Sequence, residues 1–138
     1  MNLFQGLFAL LGRILLAGIF LMSALGNKIP KFNEVAGYMA SAGVPQPKLA
    51  LVGAIVFLLL GSLSLILGYY ARFGSVLLII FLILATAYFH AFWKLTGSEA
   101  ELQMLQFMKN SSILGGLVFV LGMGSGPWSL DRIQWRKK

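Results

Sequence analysis

The chain has 138 residues, of which 59% are hydrophobic and 11% are charged, and its formal net charge is +7; since soluble domains carry about 25% charged residues, the composition excludes an ordinary soluble domain. The basic residues lie at the ends of apolar stretches rather than along one stripe, which argues against nucleic acid as a partner. With no cysteine and one histidine, His90, the chain offers no disulfide, thiolate or paired-histidine metal site.

Four apolar stretches predict membrane-spanning helices at about residues 3–26, 49–70, 74–93 and 108–124. A span needs about 20 predominantly apolar residues, because lipid offers the backbone no hydrogen-bond partner. We therefore predict an all-α fold, an integral membrane four-helix bundle that forms a single domain over residues 1–138. Both termini and the turn near Arg72 then share one end of the bundle, the terminal end. The two longer loops share the other, the loop end.

Arg13 lies inside the first predicted span, where a charge needs a partner or a route to the headgroups. Snorkelling to the headgroups is one solution. Asp131 is the one acidic residue at the terminal end. We predict a structural ion pair between Arg13 and Asp131 that holds the C-terminal segment under the bundle.

The loop after the first span predicts a short amphipathic helix at about residues 30–42, lying at the membrane interface. Pro30 suits the first turn of a helix and Gly43 suits its C-cap. Val35, Tyr38 and Met39 recur at helical spacing, which gives the helix one apolar stripe. Two interpretations stay open for this segment: a lid packed on the end of the bundle, or a gate for a ligand.

Glycine recurs inside the predicted spans, and small residues allow membrane helices to approach closely. The adjacent pair Gly115 and Gly116 in the fourth span is the predicted site of a tight crossing. A ligand cavity at this pair is the alternative.

Polar residues from three spans meet at one depth at the loop end. The candidate ligand-binding residues are Asn27, Lys28, His90, Trp93, Lys109 and Asn110. We expect an outer-leaflet pocket in which His90 and Asn110 contact the polar head of a quinone or a lipid, with aromatic and apolar walls around it. In the alternative, the aromatic residues form an interfacial belt, and His90 and Asn110 bond only to neighbouring helices. We expect no catalytic residue and no covalently bound cofactor.

Charge near the span ends predicts the orientation of the bundle. The densest basic cluster, residues 132–138, directly follows the last span. Positively charged residues close to span ends favour the cytoplasmic side. We therefore predict a multi-pass protein of the cell membrane, the inner membrane of a bacterium, with both termini in the cytoplasm.

With these residues the chain resembles the DoxX family of small four-helix membrane proteins over nearly its whole length. The resemblance is carried by Gly12-Arg13 with Gly26-Asn27-Lys28, Tyr38-Met39-Ala40-Ser41-Ala42-Gly43-Val44-Pro45, Phe89-His90-Ala91-Phe92-Trp93 with Gln106-Phe107-Met108-Lys109-Asn110, and Gly126-Pro127-Trp128-Ser129-Leu130-Asp131. One departure is that members commonly carry a glutamate in the second span, whereas this chain has Leu58 near that place.

The resemblance implies a link, in some relatives, to thiosulfate:quinone oxidoreductase and, in others, to membrane redox assemblies that handle oxidative stress. We therefore predict a subunit of a larger, redox-linked membrane complex, with membrane lipids and other membrane subunits as partners. It contacts a quinone or lipid and is not catalytic on its own. The alternative is a purely structural scaffold subunit without ligand chemistry.

Overall fold

The computed structural model describes residues 2–135, which form helices joined by short turns and contain no strand. The α-helices in this range are α1 Leu3–Ser23, α2 Phe32–Ser41, α3 Pro47–Leu67, α4 Ala71–Phe89, α5 Gly97–Met123 and α6 Leu130–Trp135. A π-helical turn, Ala24–Lys28, extends α1, and a 3-10 turn, Phe92–Lys94, follows α4. With these extensions, four helices in the described range are long and apolar enough to cross a membrane. The predicted all-α membrane bundle is confirmed.

The helix ends follow from local sequence. The Asn2 side chain accepts a hydrogen bond from the Phe4 N–H at 3.2 Å and caps α1. α3 begins with Pro47, which suits a first helical turn because it has no N–H to leave unpaired. It ends at Gly68, whose φ of 63° is the left-handed conformation that glycine adopts without strain.

The amphipathic helix predicted in the first loop is α2, and it begins after Pro30 rather than at it. A second difference concerns α5, which begins at Gly97, well before the predicted start of the fourth span at residue 108. Its first turns are polar and carry Glu99 and Glu101. These residues are too polar to be predicted as part of a membrane span, yet they belong to the same helix.

The spanning helices pack in the order α1, α3, α4, α5, so spans that follow one another along the chain are neighbours. Their shared core contains the fully buried Leu58, Leu65, Leu78 and Leu117. Leu58, near the place where the resemblance implies a glutamate, therefore packs among other apolar side chains. Large apolar residues on the outer faces are exposed, as expected for surfaces that meet lipid.

The tightest crossing joins α3 to α4 at Gly61 and Gly74. A Cβ placed on Gly61 would overlap the Leu78 side chain, and one on Gly74 would overlap Ser64. The expectation for the glycine pair in α5 was wrong in part: Gly116 packs against Leu16 of α1, whereas a Cβ on Gly115 would meet open space. Two adjacent helical residues point about 100° apart, so both cannot face one neighbour.

At the terminal end, Arg13 and Asp131 hold the same segment but bond to different partners. Arg13 is 4% exposed, and its guanidinium donates to the carbonyl oxygens of Ala9 and Trp128. The Asp131 carboxylate accepts the Tyr70 N–H at 2.8 Å and the Ala71 N–H at 3.3 Å. The hydrogen bonds of both side chains run to backbone atoms, and the ion pair between Arg13 and Asp131 stays a prediction. Residues 136–138 of the predicted cytoplasmic basic cluster lie outside the described range.

Candidate functional site

A cavity of about 1050 Å³ lies at the loop end of the bundle. Side chains of α1, its π-helical turn, α2, α3, α4 and α5 line it, and most of the lining is apolar. α2 borders the cavity because its apolar face, with Ala36 and Met39, packs on Leu51 of α3. Tyr38 stacks on Phe89 at a ring-centroid distance of 5.2 Å, which joins α2 to the end of α4.

The cavity brings together most of the predicted ligand-binding residues. Those that line it are Asn27, Lys28, His90, Lys109 and Asn110. Trp93 does not: it lies on the 3-10 turn, is 59% exposed, and packs edge-on against Phe92 and Phe107. The third span was predicted to run to residue 93, but α4 ends at Phe89, so Trp93 does not continue its helical face.

The π-helical turn positions Lys28. In this turn the Ile29 N–H donates to the Ala24 carbonyl at 3.0 Å, so residues five apart lie above one another. Lys28 Nζ accordingly donates to Ser23 Oγ at 2.6 Å and lies 5.4 Å from the centroid of the Phe81 ring. The turn places an ammonium over the cavity wall that α4 supplies.

Asn110 joins α5 to α4 beside the cavity. Its side chain is 7% exposed, and Nδ2 donates to Thr86 Oγ1 at 3.0 Å. An amide has two N–H donors and one oxygen acceptor. The bond to Thr86 fixes the orientation of the amide and leaves the rest of its hydrogen-bonding capacity for the cavity.

His90 lies at the C-terminal end of α4, where its backbone N–H donates to the Thr86 carbonyl at 3.0 Å. Its Nδ1 lies 2.7 Å from Gln103 Oε1, and in the tautomer that carries a proton on Nδ1 the ring donates to this amide oxygen. Gln103 comes from the early turns of α5 that precede the predicted span. In that neutral tautomer Nε2 remains as the acceptor for a ligand proton.

Charged residues on the first loop also line the cavity, and the sequence did not identify them. Lys31 lies in the turn before α2, and Glu34 lies in the first turn of α2. With Tyr38 they follow helical spacing, which was the signal that places them on one face. The sequence prediction for this segment rested on its apolar residues, so its charged residues were given no role.

The chemistry that these side chains supply is hydrogen bonding and positive charge. Lys28, Lys31 and Lys109 contribute ammonium groups, and Glu34 contributes a carboxylate. Within residues 2–135 no group of three or more histidine, cysteine, aspartate or glutamate side chains lies together in a way that would hold a metal ion. The arrangement is typical of a pocket that holds a polar head at one end and apolar matter at the other.

Comparisons with known proteins agree with the resemblance found in the sequence. A DoxX family model matches residues 8–91. The chain is 33% identical over 123 residues to inner membrane protein YphA of Escherichia coli, which covers 89% of this chain and 87% of that protein. It is 32% identical over 129 residues to inner membrane protein YqjF of the same bacterium, covering 93% and 92%.

Similarity extends to a eukaryotic protein at lower identity. The chain is 26% identical over 141 residues to ER-derived vesicles protein ERV29 of Saccharomyces cerevisiae, covering 90% of this chain and 45% of that protein. No solved structure matches the chain. The family match spans more than half of the sequence, and the two bacterial relatives are aligned over nearly all of it, so this multi-pass membrane protein belongs to the DoxX family.

Proposed function

We propose that this DoxX protein is a membrane subunit of a redox-linked complex and that its cavity holds the polar head of a lipid-soluble molecule, a quinone or a lipid. The observation that most supports this proposal is that Lys28, His90 and Asn110, which are far apart in sequence, line one cavity. The proposal keeps the predicted cytoplasmic termini, and in that orientation the head at the loop end lies in the outer leaflet.

Chemistry around the cavity suits an amphiphile. Lys28 and Asn110 are donors for a carbonyl or phosphoryl oxygen, and His90 Nε2 is an acceptor for a hydroxyl. Ile80 and Phe81 of α4 line the same cavity and offer apolar contact for a ring or a chain. Polar groups fix the head, and the apolar wall supplies most of the contact area.

The composition supports the proposal that a partner carries the redox centre. With one histidine and no cysteine, the chain has few side chains that bind haem or an iron–sulfur cluster. We infer that the redox centre resides on another subunit and that the DoxX protein supplies the site that binds a membrane-soluble molecule. The protein then binds and positions, and does not itself catalyse a reaction.

A scaffold subunit without a ligand is the second candidate. The bond between Asn110 and Thr86 favours it, because joining two helices already explains a buried amide without a ligand. The two functions differ in what the cavity contains. A scaffold has no ligand to lose when polar residues that line the cavity are replaced.

Mass spectrometry of bound lipids separates the two candidates. The protein is extracted with its surrounding membrane into polymer-bounded discs, and its lipids and quinones are compared with those of the whole membrane. We expect one amphiphile to be enriched with the wild type and lost from the His90→Ala, Lys28→Gln double variant. Lys94→Gln is the matched control, since Lys94 is exposed at the same end and does not line the cavity. A composition equal to bulk membrane in all three samples contradicts the proposal.

The complex is tested separately. Mild extraction and native gel electrophoresis should show the wild-type chain migrating with at least one other membrane protein. A chain that migrates alone contradicts the subunit role, whatever its cavity holds.

A further inference from the structure

The charges around the cavity indicate which kind of head it holds. We propose that the site selects an anionic head, a phosphate or a carboxylate carried on an apolar tail, over a neutral quinone ring. This inference rests on the proposed function in taking the cavity as a ligand site. It adds the charge of the ligand, which the proposed function leaves open.

Positive charge predominates in the cavity lining. The lining contains the three ammonium groups of Lys28, Lys31 and Lys109 against the single carboxylate of Glu34. Lys28 and Lys31 lie on one segment after α1 and Lys109 lies on α5, and the lining between them is mostly apolar. Low-dielectric walls strengthen the field that such charges produce, and a cleft lined by one sign of charge concentrates ligands of the opposite sign.

Lys28 gives the strongest indication. Its ammonium is partly buried, and its contacts in the structure are a neutral hydroxyl, Ser23 Oγ at 2.6 Å, and the face of the Phe81 ring at 5.4 Å. Across residues 2–135 it forms no ion pair with a carboxylate. An ammonium has three donors, so at least one remains after the bond to Ser23.

An uncompensated charge in apolar surroundings is costly, and a counter-charge removes much of that cost. Lys28 lines the cavity, so a ligand held there would be close enough to supply this counter-charge. A phosphate or carboxylate oxygen accepts a charge-assisted hydrogen bond from an ammonium, which is roughly twice as strong as a neutral one. A quinone carbonyl offers only its dipole.

The neighbouring groups complete an anion site. Lys109 donates to Gln106 Oε1, which anchors its side chain on α5 while the residue lines the cavity. The next residue, Asn110, has an amide N–H beyond the one that it gives to Thr86. Glu34 is the opposing charge, so removing it should strengthen anion binding rather than weaken it.

Apolar walls indicate that the anion is attached to a tail. Phe57, Ile80 and Leu84 line the cavity, whose volume of about 1050 Å³ far exceeds that of a phosphate group. Ligand pockets of about 300–1,000 Å³ bury most of a molecule of drug size, so the space accommodates a head with part of a chain. A free anion would leave the apolar part of the cavity unfilled.

Binding of defined probes tests the inference. The full-length protein, in a neutral detergent, is titrated with dodecyl phosphate, with a short-chain ubiquinone and with inorganic phosphate, and affinities are taken from ligand-dependent thermal stabilisation. We expect dodecyl phosphate to bind most tightly. Lys28→Gln should weaken it about tenfold, the loss expected for one charge-assisted bond, and leave the ubiquinone unchanged. Glu34→Gln should tighten dodecyl phosphate, and the control Lys94→Gln should change nothing.

Each other outcome overturns a distinct statement. If the ubiquinone binds as tightly as dodecyl phosphate and Lys28→Gln affects neither, the anionic head is wrong and the ligand-binding function stands. If inorganic phosphate binds as tightly as dodecyl phosphate, the tail is wrong. If no probe binds, both the inference and the ligand-binding function fail. Should Lys28→Gln fold poorly, Lys109→Gln provides the same comparison from α5.

Discussion

Asn110 donates a hydrogen bond from Nδ2 to Thr86 Oγ1 across 3.0 Å, which links α5 to α4 at the edge of the cavity. Both side chains belong to spanning helices, and the Asn110 side chain is buried. The bond therefore sets the spacing of two cavity walls as well as contributing to stability.

We expect Asn110→Ala and Thr86→Ala each to lower the free energy of unfolding by about 0.5–1.5 kcal/mol, the net value of such a bond. The double variant should lose less than the sum, because both changes remove one interaction. Unfolding in mixed detergent micelles measures the coupling, with Ser112→Ala as the control on an exposed face of α5. Fully additive losses would show that the bond is not made.

Gly61 should not tolerate a side chain. We expect Gly61→Ala to destabilise the protein by about 1–3 kcal/mol, because the added methyl group overpacks the crossing of α3 and α4. Gly53→Ala on the same helix is the matched control, since nothing lies within 4 Å of a Cβ there. Equal unfolding free energies for the two variants would mean that the crossing is looser than described.

Asp131 should stabilise the start of α4 through its two backbone hydrogen bonds. We expect Asp131→Ala to lower the unfolding free energy by about 0.5–2 kcal/mol, the usual effect of removing a helix N-cap. Asp131→Asn keeps one carbonyl oxygen and should lose less. If both variants match the wild type while Glu101→Ala also does, the carboxylate has no capping role.

The orientation of the bundle can be read from cysteine labelling, because the natural chain has no cysteine. Ser98→Cys lies at the loop end and Arg132→Cys at the terminal end, and both positions are exposed. With the termini in the cytoplasm, a membrane-impermeant maleimide added to intact cells should label residue 98 and spare residue 132. The reverse pattern would put the cavity in the inner leaflet.

Much of the fold was predictable from the sequence, because apolar runs of bilayer length have few alternatives. The meeting of Lys28, His90 and Asn110 was predictable too, since equal depth in adjacent spans brings side chains together. Helix registers at the span ends were not. Two features arise from backbone hydrogen bonding that residue patterns do not encode. One is the π-helical turn that positions Lys28, and the other is the end of α4 at Phe89, which leaves Trp93 outside the cavity.

The terminal end shows the same limit in another form. The sequence predicts a pair between Arg13 and Asp131 because they are the opposite charges available at the terminal end. In the structure, backbone carbonyls and N–H groups left over at helix ends and turns take up these side chains. Such backbone partners exist at every helix end, and a sequence does not show which of them face a given side chain.

The claim that the cavity holds an amphiphile is tested most directly by photo-crosslinking in the native membrane. A benzophenone amino acid is placed at Phe57, which lines the cavity, or at Leu60, which is exposed on the same helix and does not line it. Mass spectrometry of the adducts should show one amphiphile strongly enriched at residue 57 and a mixture resembling bulk lipid at residue 60. The same bulk mixture at both positions would contradict a ligand site in this cavity.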